Sequence, residues 1–371
     1  MYREQNKQTS FFGTLVYERI VPPDHFLRKL NTVLDLTFVN ELCKELYCAD
    51  NGRPCWEPQL LFKVLLLQYL YDVSDATIEE EIRDRISFKW FLNLDTDDIP
   101  PDATTLVRFR DRVGPERFAE IFNRIVATAR SYKLVNDRLH VVDATAVKAK
   151  VDTWRIRNRH DRDHTDDDSG HSGAASSGET NRKDYIEKNS PDKDARIGHC
   201  SPNKTVFGYK SYIQMDKDSE IIVATAAAPA NEQEATFLER LITRPAAGVP
   251  QMLTADKAYD TLYNHTLLET NGTVSGILKR RIRRKDSQGT YYFEHRQTQE
   301  HQSFLARIRS VIEHKIAEMK RWHHLYQARF LGLKKVTQQT LLTCIAVNVK
   351  RMVTLLYRDS SPPGCTQRVL A

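Results

Sequence analysis

No C-x-x-C pair occurs in this chain, and its six cysteines, at 43, 48, 55, 200, 344 and 365, are scattered through 371 residues. They are too sparse for a disulfide framework and wrongly spaced for a zinc ribbon. Cys43, Cys48 and Cys55 stand close together, but their spacing is irregular and no histidine lies near them, which argues against a metal site there. Long apolar runs are missing too. The longest, Leu60 to Tyr71, is interrupted by Lys63 and Gln68 and is too short to span a bilayer, and the first residues, MYREQNKQTS, contain no signal-peptide core. These absences point to a reduced, folded, cytoplasmic protein without a membrane segment. With 40% hydrophobic residues it has material for the cores of two or three domains.

Charge is what the chain has in one place. The formal net charge is +6, yet Ile277 to Val336 alone holds fifteen Lys and Arg against five Asp and Glu. A local excess of that size suits a polyanion, for which the phosphate backbone is the usual candidate, although a solvated helical face gives the same composition.

Residues 1–135 read as a helical domain, because apolar residues recur every three or four positions in HFLRKLNTVLDL, PQLLFKVLLLQYLY and ERFAEIFNRIVATA. Ser74 or Asp75 can cap the helix TIEEEIRDRI. Pro101-Asp102 can open a further helix, TTLVRFRDRV, that Gly114-Pro115 closes. In that helix Leu106, Phe109 and Val113 face inward, while Arg108 and Arg112 face outward, toward DNA or toward solvent. Strands begin at Arg138: LHVVDATAVKA first, then VFGYKSYIQMD and SEIIVATAAAP as a hairpin about Lys217-Asp218, then PQMLTAD and TVSGILKRR. Helical segments EATFLERLI and TLYNHTLLE separate the later strands, so a mixed five-stranded sheet with flanking helices is expected over 136–151 and 204–335. Residues 152–203 are polar, contain His160, His164 and His171 among aspartates, and read as a mobile insertion. A long helix from about Gln299 to Trp322 follows the sheet, then a C-terminal helix within 336–358 and a loose tail, 359–371.

Three acidic residues stand out. Asp143 lies within the apolar run LHVVDATAV, Asp256 ends QMLTAD, and Glu313 sits on the helix RIRSVIEHKIAEMKRW. A carboxylate in an apolar strand is costly unless it is paired or binds a cation. On a strand, Leu139, Val141, Asp143, Thr145 and Val147 share one face. Asp256 falls at a strand's carboxyl end, ahead of a helix that Asp260 can cap. On the long helix Leu305, Ile308, Ile312, Ile316 and Met319 form the inner stripe and Glu313 its edge, with Arg309 one turn before and Lys320 two turns after. The bland account of Glu313 is an i,i+4 ion pair with Arg309. The chemical account is a shared site for two Mg²⁺ ions, hard cations that take oxygen ligands and support in-line displacement at phosphorus.

The order of VVDAT, FGYKSY, TADKAYD and R-x-x-x-E on a basic helix resembles the DDE transposases of bacterial insertion sequences, in the insertion-sequence-five-like group and its close relatives. PCWEPQLLFKVLLLQYLYDVSDATIEEEIRDRISFKWFLNL and PPDATTLVRFRDRVG resemble the helical domain that precedes the catalytic core there. The resemblance runs from about Pro54 to about Tyr357 and implies a ribonuclease-H-like α/β core with Asp143, Asp256 and Glu313 as catalytic, metal-holding residues. It implies that Lys204, Tyr209 and Lys210 line the DNA path and that Arg309 and Lys320 contact phosphate. The cofactor implied is Mg²⁺, two ions per site, with Mn²⁺ as substitute. The partners implied are element ends, target DNA and at least a second copy of the chain. Ala258 stands where many relatives have glycine, and the 152–203 insertion is longer than usual. A captured, non-catalytic DNA binder and a metal-dependent nuclease of the same fold are the competing expectations.

Overall fold

A computed structural model describes residues 10–48, 55–158, 183–201, 204–285, 291–294 and 296–358. The chain divides into two units, one built on Met1–Asn136 with Asp218–Ile222 and the chain from Leu342, the other on Asp137–Lys217 and Val223–Leu341.

The first unit is helical: α1 (Phe11–Ile20), α2 (Phe26–Val33), α3 (Phe38–Cys43), α4 (Pro58–Leu70), α5 (Ile78–Asp84), α6 (Ile86–Leu92) and α7 (Ala103–Ser131). α4 is apolar nearly all round and is therefore the buried central helix. Even its Lys63 is inside, donating to the Phe91 carbonyl at 3.0 Å. Burial lowers that ammonium's pKa to about 8. Asp102 caps α7 by accepting from the Thr105 N–H at 2.6 Å, and Leu106, Phe109 and Val113 are buried. At Gly114 the backbone leaves helical geometry with φ of 73°, so the helix breaks where Gly114-Pro115 is expected to end it. Asp75 has another task than capping: Arg110 grips it, with one contact at 2.9 Å, and Gln68 donates to it at 2.8 Å.

The second unit holds the sheet: β1 (Leu139–Lys148), β2 (Arg196–Ser201), β3 (Lys204–Asp216), β4 (Ile222–Pro229), β5 (Met252–Ala255) and β6 (Val274–Ile277). The strand order is β2-β3-β1-β5-β6, with β4 also on β3. β1 runs antiparallel to β3, with Asp143 opposite Ile213, and parallel to β5, which is itself parallel to β6. A central strand with an antiparallel hairpin on one side and two parallel strands on the other is the ribonuclease-H-like arrangement. Short helices α8 (153–158) and α9 (183–189) precede β2. α10 (Phe237–Ile242) and α11 (Leu262–Thr270) cover Val142, Tyr212, Leu253 and Ile277, and Tyr212 stacks on Phe237 with ring centroids 4.0 Å apart. α12 (Gln299–Trp322) lies against β1 and β5, burying Leu305, Ile312 and Met319, while Ile308 and Ile316 are half-buried. α13 (Leu333–Leu356) follows.

Two expectations need correcting. The sheet has six strands, because β2 lies inside the stretch that reads as a mobile insertion and pairs Arg196 with Gly208. His160, His164 and His171 fall outside the described residues. The strand expected over TVSGILKRR stops at Ile277, and its basic end enters a separate hairpin, β7 (Ile282–Lys285) with β8 (Tyr291–Glu294). No helix among the described residues is long and apolar enough to cross a membrane.

Candidate active site

β1 places Asp143 between buried Val142 and half-buried Ala144, with its side chain 17% exposed, and the Ala144 N–H donates to Oδ1 at 2.8 Å. β5 places Asp256. The last paired positions of these parallel strands are Val141 and Thr254, so each aspartate stands two residues past the carboxyl end of the β1–β5 pairing, while β1 runs on beside β3. Asp256 opens a 3₁₀ turn, Lys257–Tyr259.

Arg309 of α12 spans the two carboxylates, with Nη2 3.4 Å from Asp143 Oδ2 and Nη1 3.3 Å from Asp256 Oδ1. Burial raises the Asp143 pKa to about 6. Arg309 and the Ala144 N–H pull it down, while Asp256 and Glu234 push it further up. Arg309 Nε is buried with no hydrogen-bond partner among the described residues.

Of the expected triad the structure brings two members together. Glu313 is exposed, one turn beyond Arg309, and among the described residues no three acidic, histidine or cysteine side chains converge on a metal position. The bland i,i+4 pair is not what Arg309 makes, since both its terminal nitrogens go to the aspartates. Lys320 is partly exposed on the same helix. Lys204 opens β3, and its side chain lies outside the described residues.

Tyr209 and Lys210 do not line an open path. Tyr209 is fully buried and its hydroxyl donates to Asp192 at 2.6 Å. Lys210 is buried and puts its ammonium 3.0 Å from Glu234 Oε1. In the helical unit Arg108 is exposed, whereas Arg112, also exposed, lies over the Tyr47 ring at 4.6 Å.

The sequence reading missed Glu234, which follows β4 on a 3₁₀ turn and acts electrostatically on Asp143. It also missed Tyr259, whose buried hydroxyl has no hydrogen-bond partner among the described residues and whose pKa is driven well up by burial, then by Glu234 and Asp143. The helix cap expected of Asp260 is not made. Thr261 caps α11 instead, accepting from the Asn264 N–H at 3.2 Å, and Asp260 is bound by His265, Arg296 and the Arg280 N–H.

The donor set suits a hard divalent cation: two carboxylates, oxygen donors only, already sharing one positive group. A ribonuclease-H-like sheet with one aspartate on its central strand and another at the end of the parallel neighbour defines the class, a ribonuclease-H-like protein with an acidic pair on its parallel strands. Residues 137–349, more than half of the chain, match the model described as Transposase DDE domain, and residues 15–112 match Transposase domain (DUF772). The chain belongs to the DDE transposase family. It is also similar to a chain in the cryo-EM structure of a piggyBac transposase synaptic complex with hairpin DNA, at a TM-score of 0.34 and 7% identity, over 95% of this chain and 84% of that one.

Proposed function

We propose that this protein is the transposase of a bacterial insertion sequence, acting in the cytoplasm as at least a dimer on paired element ends. It cuts the phosphodiester at each end and joins the exposed 3′-hydroxyl to target DNA by transesterification. The observation that carries the reading is the pair of aspartates, one within β1 and one directly after β5, under a single guanidinium from α12.

Asp143 and Asp256 would hold Mg²⁺, or Mn²⁺ in its place, and Glu313 would complete the set for two ions by turning in from its helix. Such ions supply activation of the attacking oxygen and stabilisation of the leaving one. Arg309, released from the aspartates, would take the scissile phosphate, for which a guanidinium has the matching fork. Lys320, Lys204, Arg108 and Arg112 are the remaining phosphate contacts of this reading. Lys210 orients Glu234 at the edge of the site, and Tyr209 supports β3 from inside.

The test is incubation of purified protein with duplexes carrying the sequences that flank its gene, with Mg²⁺, Mn²⁺ or EDTA, for wild type and Asp143→Asn. Metal-dependent nicking at defined ends by wild type, lowered by about 10³-fold or more in the variant with end binding kept, is the expected result. End binding without nicking by wild type would make the chain a DNA binder, and nicking indifferent to sequence would make it a nuclease.

A further inference from the structure

Between β6 and α12 the chain leaves the sheet, forms the β7–β8 hairpin and returns. The outgoing strand carries the run KRRIRRK, with Arg281, Arg284 and Lys285 exposed. The two feet of this arm are tied to each other and to the turn that follows Asp256. Lys279 N–H donates to Gln297 Oε1 at 3.0 Å, and Gln297 Nε2 donates back to the Ile277 carbonyl at 3.2 Å. Arg280 Nε donates to the Lys257 carbonyl at 2.7 Å and Nη2 to the Ala258 carbonyl at 3.3 Å, next to Asp256 itself.

Asp260 closes the arrangement. Its Oδ2 accepts from the Arg280 N–H at 2.8 Å on one foot and from Arg296 Nη1 at 3.0 Å on the other. Its Oδ1 lies 2.9 Å from His265 Nε2, and His265 Nδ1 lies 2.7 Å from Ser275 Oγ on β6. A carboxylate only accepts, so His265 donates to it from Nε2, and the Ser275 hydroxyl, able to donate or accept, satisfies Nδ1 in either protonation state of the ring. With its side chain 3% exposed, Asp260 is one group to which both feet, α11 and β6 converge. Burial works against its charge, but the Arg280 N–H, His265 and Arg296 outweigh it and hold the pKa below the usual range.

We infer that Asp260 is a positioning residue that fastens the basic β7–β8 arm to the Asp256 turn, so that DNA gripped by the arm's cations is presented in register to the aspartates. The inference rests on the transposase reading, from which it takes DNA as the partner. A loose arm would still attract phosphate, since attraction depends on charge, but it would no longer fix which phosphate reaches Asp256. Loss of Asp260 therefore separates binding from placement.

The measurement is amide hydrogen exchange on the full chain in metal-free buffer, with and without an element-end duplex, for wild type and Asp260→Asn. In wild type the duplex slows exchange in peptides spanning 253–262 as well as 279–285. In the variant the slowing at 279–285 persists, that at 253–262 falls by at least about threefold, and the affinity for DNA changes by less than about threefold. With Mn²⁺ the variant's nicks spread over neighbouring phosphates while those of wild type stay at one. Equal slowing at 253–262 in both proteins, with nicks at one position in both, overturns the inference and leaves the transposase reading intact. Wild-type protein that neither binds nor nicks the duplex overturns that reading first. If Asp260→Asn does not fold, Arg296→Gln removes one foot without emptying the buried carboxylate, and the same loss of coupling in part is expected; full coupling there counts against the inference.

Discussion

An aspartate in the middle of an apolar strand is expensive when ionised, and Asp143 shows it by holding its proton up to about pH 6 rather than the ordinary 3.8. The native chain therefore carries a proton that the unfolded chain has released between about pH 4 and pH 6. Asp143's contribution to stability is present below that window and is lost as pH rises through it. Above it the ionised group costs the fold something on the order of 2–3 kcal/mol at most. Asp143→Asn should accordingly raise the melting temperature of metal-free protein at pH 7.5, and the gain should fade toward pH 4; a variant no more stable than wild type at pH 7.5 would show that burial does not govern this group. The same cost made Asp143 and Asp256 visible in the sequence, because charged residues at the ends or centres of apolar runs demand an explanation. Glu234 and Asp260 gave no such signal. Glu234 stands in a polar loop, and an aspartate before a helix looks like a cap whether or not it is one. The real partners of Asp260, Arg280 and Arg296, lie 20 and 36 positions downstream.

The elements that position the site were legible where hydrophobic periodicity is strong and faint where backbone contact replaces side-chain packing. α12 begins and ends where its apolar spacing sets it, and the β3–β4 hairpin turns about Lys217-Asp218 as expected. β2 was hidden, since RIGHCS has little alternation and polar neighbours, and its Gly198 passes so close to Ala230 that a Cβ would stand 1.8 Å from that carbonyl oxygen. Gly208, inside the FGYKSY motif, shows the same device on β3. It has φ of 154°, and a Cβ there would meet Val147 O at 2.3 Å and Ala149 N at 2.6 Å, both backbone atoms that cannot swing aside. Because Gly208 pairs with β1 at Lys148 and with β2 at Arg196, the strain would reach the strand that carries Asp143. Gly208→Ala should lower stability by about 2 kcal/mol or more, read as a fall in urea midpoint, while Thr205→Ala on the exposed side of the same strand should stay within about 0.5 kcal/mol. Equal midpoints for the two variants would remove the close approach from the account of β3.

At the scale of the whole chain the decisive quantity is where charge sits rather than how much there is. Ile277 to Val336 carries an excess of ten positive charges against a total of +6, so the rest of the chain is net acidic by four. A polyanion is therefore drawn to one segment and repelled, on balance, by the remainder. That segment contains the β7–β8 arm and α12, which also supplies Arg309 to the aspartates, so the cations of the arm and the guanidinium that joins the aspartates are close in sequence. The charge excess was plain in the sequence, but its division between a hairpin and a helix was not, because KRRIRRK continues the strand pattern of TVSGI without a glycine or proline to mark the turn. Removing one cation that pairs with a DNA phosphate should reduce the slope of log affinity against log salt by about 0.9. Replacing Arg281, Arg284 and Lys285 by glutamine should thus lower the slope for an element-end duplex by about 2–3, whereas the same charge removed at Arg19, Lys133 and Arg244, exposed positions outside the segment, should change it by less than about 1. Titrations by fluorescence anisotropy between 50 and 200 mM salt, about the range over which such slopes are read, decide it. Equal slopes for the two triple variants would mean that DNA feels only the net charge of the chain, and the basic segment would lose its claim to be the surface that receives it.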